Sequence, residues 1–86
     1  MRTCVVSLDL HHPDSEYGLL NQTLRDMNFA RLQRHLWAGE SEATPLRIKT
    51  TLLSGVRPDD GIFVFAQESA LDDYASHNPA LEYDAR

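Results

Sequence analysis

The sequence predicts an α+β sandwich of the ferredoxin-like type, βαββαβ, with two helices on one face of an antiparallel sheet. Three observations predict it. A β-branched run, Cys4-Val5-Val6-Ser7-Leu8-Asp9-Leu10, stands almost at the start of the chain. Thr44-Pro45 marks a helix start in the middle. A second apolar run, Ile62-Phe63-Val64-Phe65-Ala66, precedes a polar, acidic end.

The first run reads as a strand over 3–9. Alternation puts Cys4, Val6 and Leu8 on one face and Val5, Ser7 and Asp9 on the other. The apolar face belongs under helices. After the turn His11-His12-Pro13, Asp14 or Ser15 is placed to cap a helix over 15–27, in which Tyr17, Leu20, Leu24 and Met27 recur at helical spacing. Residues 29–40 read as two short strands broken near Gln33-Arg34, or as one strand extending from a loop. Thr44 as N-cap and Pro45 at the first helical position start a helix over 45–54. Leu46, Leu52, Leu53 and Val56 form its expected apolar stripe, with Ile48 at the edge and Gly55 as the stop. Arg57-Pro58-Asp59-Asp60-Gly61 is a turn. The run 62–66 is apolar on both sides and is therefore expected at the centre of the sheet. Beyond Gln67, Ser69 is placed to cap a short helix carrying Leu71 and Tyr74, and a tail follows from Ser76.

The chain has 86 residues, which suits one domain over 1–67 with an extension over 68–86 that docks on this chain or on a dimer partner. Its 42% hydrophobic content is that of a globular protein rather than a disordered one. The formal charge of −5 works against non-specific binding to RNA or DNA, which needs clustered cations. Arg25, Arg31, Arg34, Arg47 and Lys49 nevertheless fall together between positions 25 and 49 and leave room for a local basic face. The single cysteine, Cys4, excludes an intrachain disulfide and reads as a small buried hydrophobe. No signal peptide or membrane span is expected, so the expected location is cytoplasmic. Phe63, Phe65 and Trp37 exceed what two short helices can cover, which predicts a homodimer.

Chemistry is concentrated where the first strand ends. Asp9 is either a Mg²⁺ or Mn²⁺ ligand or a strand-end carboxylate bonded to the next loop. His11 and His12, with Asp9 and Asp14, offer imidazole and carboxylate donors of the kind transition metals take, or they are exposed loop histidines. One of them, His11 first, would serve as a general base near phosphate. Ser7 shares the face of Asp9 and would orient a water or phosphate, or is simply polar there. Asp59 and Asp60 would add metal carboxylates, or bond their own turn. Trp37 with Arg31 and Arg34 would stack a base and hold phosphate, or Trp37 belongs to a core or interface. A small-ligand sensor using the open sheet face is a further reading.

Val5-Val6-Ser7-Leu8-Asp9-Leu10, followed by Pro13, Tyr17 and Leu20, resembles the opening of the SinR-like and CRISPR-associated Cas-two-like small proteins. Leu36-Trp37, the helix begun by Thr44-Pro45, and Pro58-Asp59-Asp60-Gly61-Ile62-Phe63-Val64 fit the rest of that pattern over roughly 1–67. The resemblance implies a ferredoxin-like domain that dimerises. In the Cas-two branch, the Asp ending the first strand holds a divalent metal for phosphodiester cleavage, and Asp9 is the matching position. The related virulence-associated protein D branch includes ribonucleases. The implied function is a metal-dependent endonuclease or ribonuclease using Asp9. The alternative is a non-catalytic homodimeric interaction or regulatory module.

Overall fold

The computed structural model describes residues 1–67. The expected short helix with Leu71 and Tyr74, the tail and the docking extension lie outside the described residues. Four strands and two helices follow in the order β1 (Arg2–Asp9), α1 (Gly18–Asp26), β2 (Ala30–Gln33), β3 (Leu36–Ser41), α2 (Pro45–Leu52) and β4 (Gly61–Gln67). The strands lie in the order β2-β3-β1-β4, and every pairing is antiparallel. This is the ferredoxin-like α+β arrangement.

The alternation in β1 sorts the layers. Cys4, Val6 and Leu8 join Leu20 and Leu24 of α1 and Ile48 and Leu52 of α2 in one buried cluster, so both helices cover the same face. Cys4 is fully buried, and burial pushes its thiol pKa up, keeping it protonated and inert. No helix among the described residues is long and apolar enough to cross a membrane.

The structure corrects four expectations. First, β4 is an edge strand bonded to β1, and β1 is central. Apolarity on both sides of a strand reports what covers its two faces, not its lateral place. Ile62, Val64 and Ala66 pack on the core, while Phe63 projects on the opposite face and is 64% exposed. Second, the buried stripe of α2 is Ile48 and Leu52; Leu46 and Leu53 are exposed. Ile48 and Leu52 are four residues apart on one side of the helix, whereas Leu46 and Leu53 are seven apart on the other. Third, neither Asp14 nor Ser15 caps a helix. Asp14–Tyr17 forms one tight 3₁₀ turn behind an extended Pro13, with no side-chain cap, and α1 begins only at Gly18. Fourth, Trp37 is not part of the uncovered apolar surface expected for a dimer or for base stacking: its core reading holds, since it lies on the helix-covered face, paired in register with Val6, and is buried. The Arg31 guanidinium lies 5.5 Å from the centroid of its ring, and its indole N–H has no partner among the described residues.

The helix ends follow local rules. Thr44 Oγ1 accepts from the Arg47 N–H at 3.2 Å, with Pro45 next to it, as the sequence predicts. After α1, Asn28 takes φ 64°, the Asn28 N–H donates to Arg25 O at 2.9 Å, and the Phe29 N–H donates to Leu24 O at 3.0 Å. That pair of bonds is a Schellman stop. It turns Phe29 into the core against Gly39, where an added Cβ would meet the Phe29 ring at 2.7 Å. Residues 30–41 then form the two short strands, broken at Arg34-His35.

Asn28 is therefore the residue to test for the α1 stop. Asn28→Ala should cost about 1 kcal/mol, because alanine gains nothing in the left-handed region to offset its steric penalty. Asn28→Gly should be neutral or stabilising, since glycine enters that region freely. Urea midpoints of the three proteins check this, and equal losses for Ala and Gly would show that the backbone conformation is not the cause.

Candidate functional site

The antiparallel order brings three loops to one end of the sheet. Asp9, the last residue of β1, is in register with Gly61, the first of β4. The turn between β2 and β3 joins them there, since the Leu8 N–H donates to His35 O at 2.8 Å. At Gly61 a Cβ would stand 3.3 Å from the Asp9 Cβ, so glycine keeps the flank of Asp9 open.

Asp60 ties this end together. Its carboxylate accepts the His11 N–H at 2.9 Å and the Arg57 N–H at 2.8 Å. The Tyr17 hydroxyl lies 2.9 Å from both of its oxygens and donates to them. The same hydroxyl accepts the His12 N–H at 3.1 Å. Tyr17 is buried at the start of α1, which explains why Asp14–Tyr17 winds as a tight turn: the phenol is committed inward. Desolvation pushes the Asp60 pKa up, but the N–H donors of Arg57 and His11 and the Tyr17 hydroxyl outweigh it and hold it below the usual range. Burial, then donation to Asp60, pushes the Tyr17 hydroxyl up.

Around this centre stand four ion pairs among the described residues. His11 Nε2 lies 3.2 Å from Asp9 Oδ2, and His12 Nε2 lies 2.8 Å from Asp59 Oδ1. The His12 hydrogen bond holds the Asp59 pKa down. Arg57 bonds Glu16 at 2.6 Å, and Arg34 reaches Asp14 at 3.5 Å. These are exposed or half-exposed contacts, worth little to stability one by one.

Of the predicted site residues, Asp9 and His11 come together. Asp9 is 78% exposed, and its one side-chain partner among the described residues is His11. Ser7 lies two residues back on the same face, opposite Phe63 and Leu36. His11 and His12 do not converge, because each pairs with a different Asp, and Asp14 pairs with Arg34. Arg31 and Arg34 line a cleft of about 340 Å³ with Asp14, Leu32 and Gln33. The Arg31 guanidinium donates to Arg34 O at 2.7 and 3.0 Å, which stiffens that cleft. Trp37 does not line it, being buried in the core.

The sequence reading missed the grouping of His12 with Asp59 and Asp60, whose ligand atoms lie within 4.8 Å of one another. The signal for it was the fold itself: in this strand order the exit of β1 and the start of β4 are neighbours. Asp60 spends most of its lone pairs on three donors, so this group is first a hydrogen-bonded lock. Asp59 and Asp60 thus lie in the predicted turn, and Asp60 closes it by accepting from Arg57.

No family model, no curated protein and no solved structure matches the chain.

The lock makes stability pH-dependent with a definite sign. Asp60 and Asp59 have folded pKa values below the ordinary 3.8. Their stabilisation is present above that value and is lost as pH falls through the lower, folded ones. Tyr17, raised above 10.0, stabilises fully below that value, and its contribution is lost as pH rises through the folded one. Asp60→Asn should flatten the acid limb of a stability–pH curve, and Tyr17→Phe should flatten the alkaline limb. Urea midpoints measured across pH check both, and limbs parallel to the wild type's would refute the assignment.

Proposed function

We propose that the chain is a Cas-two-like, dimeric, cytoplasmic phosphodiesterase that acts on nucleic acid with a divalent cation held by Asp9. The observation that carries this reading is the freedom of Asp9. A strand-end aspartate kept for structure bonds the following loop or caps the next helix. Here Asp60 takes that loop's backbone N–H, while Asp9 meets the loop only through the half-exposed His11 ring and has no other side-chain partner among the described residues. A single exposed carboxylate with room for waters and phosphate oxygens fits Mg²⁺ or Mn²⁺. Asp9 would hold the cation, whose contribution there would be to polarise the phosphodiester and acidify a water.

The chain's own residues supply the rest. Asp9 Oδ2 faces His11, which leaves Oδ1 for the ion. His11, half exposed, takes the proton of the attacking water. Arg31 and Arg34, at the turn that abuts β1, hold a flanking phosphate in their cleft. That pair of guanidiniums provides the local cationic patch that an acidic protein needs for an RNA or DNA substrate. Trp37 has no part in the contact. The second copy packs on the open sheet face, where Phe63 stands exposed with Phe65 at 5.7 Å between ring centroids.

The second reading is a non-catalytic homodimeric interaction module. It is favoured by the formal charge of −5 and by the same exposed Phe63, which a second copy would cover whether or not Asp9 binds metal.

Cleavage of RNA and DNA should depend on Mg²⁺ or Mn²⁺ and be abolished in Asp9→Asn. The cation should raise the melting temperature of the wild type only, by the equivalent of about 2.7 kcal/mol at one hundred times its Kd. Equal residual cleavage in both proteins, with no thermal shift, would leave the interaction module as the function. Light scattering should give a dimer for the wild type and a monomer for Phe63→Glu; a monomeric wild type at micromolar concentration removes the dimer from either reading.

A further inference from the structure

We infer that Asp60 and Tyr17 are positioning residues for the Asp9–His11 pair; this rests on the reading that Asp9 holds a cation. The reason lies in how His11 gets back to Asp9. The chain leaves β1 at Asp9 and turns at Leu10, and the His11 ring then lies 3.2 Å from the carboxylate two residues behind it. An exposed ring does not hold such a place through an exposed ion pair alone. What holds it is the backbone beneath. The His11 N–H is anchored on Asp60 Oδ1, and the next N–H, that of His12, is anchored on the Tyr17 hydroxyl. Two successive amides are therefore aimed at one inward pair of side chains, of which Tyr17 is buried.

The same carboxylate sets the other wall of the site. Asp60 immediately precedes Gly61, the residue opposite Asp9 in the sheet, and it accepts the Arg57 N–H at the start of that loop. One group thus fixes His11 on one side of Asp9 and Gly61 on the other. The fold does not depend on it to the same degree. β1 and β4 are paired over seven positions, from Thr3↔Gln67 to Asp9↔Gly61, so the sheet register survives its loss. The phenyl ring of Tyr17 keeps its place in the core without the hydroxyl. Tyr17→Phe removes one O–H and leaves the packing, so it separates orientation from stability.

The His12–Asp59 pair provides the contrast. It lies at the same end and contains the same residue types, but it is partly exposed and no backbone contact to His11 runs through it. Breaking it should not move the Asp9–His11 pair.

Two readouts test the inference in the full chain. The first is the nuclear Overhauser effect between the His11 ring protons and the Asp9 Hβ protons, which needs neither metal nor substrate. It should be present in the wild type and in Asp59→Asn, and absent in Tyr17→Phe and Asp60→Asn, with circular dichroism unchanged. The second is Mn²⁺ affinity by electron paramagnetic resonance. Kd should rise about tenfold or more in Tyr17→Phe and Asp60→Asn, the usual loss when a supporting shell is removed. In Asp59→Asn it should stay within about twofold of the wild type, because an exposed pair supports little. An Overhauser effect that persists in Tyr17→Phe overturns the inference, whatever Mn²⁺ does. If the effect vanishes in Tyr17→Phe but the wild type binds no Mn²⁺, the positioning role is upheld and the cation reading falls instead. Should Asp60→Asn fail to fold, Tyr17→Phe alone decides.

Discussion

The hydrogen bonding of the Asp60 carboxylate is the constraint on which this end of the molecule depends. It draws on the exit of β1 through His11, on the start of the first helix through Tyr17, and on the loop into β4 through Arg57. His11 and Tyr17 lie more than forty positions from Asp60, and the Tyr17 hydroxyl joins the same segments through its own bonds to His12 and Asp60. A buried phenol that donates to a carboxylate is left with an unmet donor when the carboxylate is lost, so the pair favours the arrangement that keeps both in place. It also explains the local irregularity of the chain there. The tight turn Asp14–Tyr17, without a side-chain cap, is the conformation that brings the Tyr17 hydroxyl inward.

Much of the fold was legible because it rests on short-range signals. Thr44-Pro45 states a helix start by chemistry that acts within one turn, and the structure uses it as written. The alternation in Cys4–Asp9 fixes which face meets the helices, and the break near Gln33-Arg34 is where the β2–β3 turn lies. What was not legible depends on neighbours that a pattern cannot see. The place of β4 at the edge is a matter of topology, and its two apolar faces say nothing about it. Ile48 and Leu46 differ only by which side of α2 happens to meet the sheet. Trp37 is indistinguishable in sequence from an interface tryptophan; its register with Val6 is what puts it inside.

The candidate site divides along the same line. Asp9 beside His11 was readable, because two residues flanking a strand end stay close in any fold. The union of His12 with Asp59 and of Tyr17 with Asp60 was not, because each spans more than forty positions. Three Asp residues at one sheet end look alike in sequence. The structure separates them by what their oxygens already do. Asp60 accepts from three donors, Asp59 is engaged by the His12 imidazole, and Asp9 has, among the described residues, only the half-exposed His11 imidazole beside it. Hydrogen-bond capacity, not position in the chain, is what tells these carboxylates apart.

The pleat of β1 ties Asp9 to the sheet face away from the helices. Val5, Ser7 and Asp9 alternate with the core residues, so Asp9 projects on the side away from the helices. Its row on β4 is Gly61, then Phe63 opposite Ser7, then Phe65 opposite Val5. The exposed Phe63 and the Asp9 carboxylate are therefore neighbouring steps along one face, about 7 Å apart at strand rise. Whatever covers Phe63 also reaches Ser7 and the rim of Asp9. A substitution on that patch cannot be read as an interface change alone, nor one at Asp9 as a change of chemistry alone. The two belong to one surface, because the strand alternates and glycine at position 61 keeps the space beside Asp9 clear.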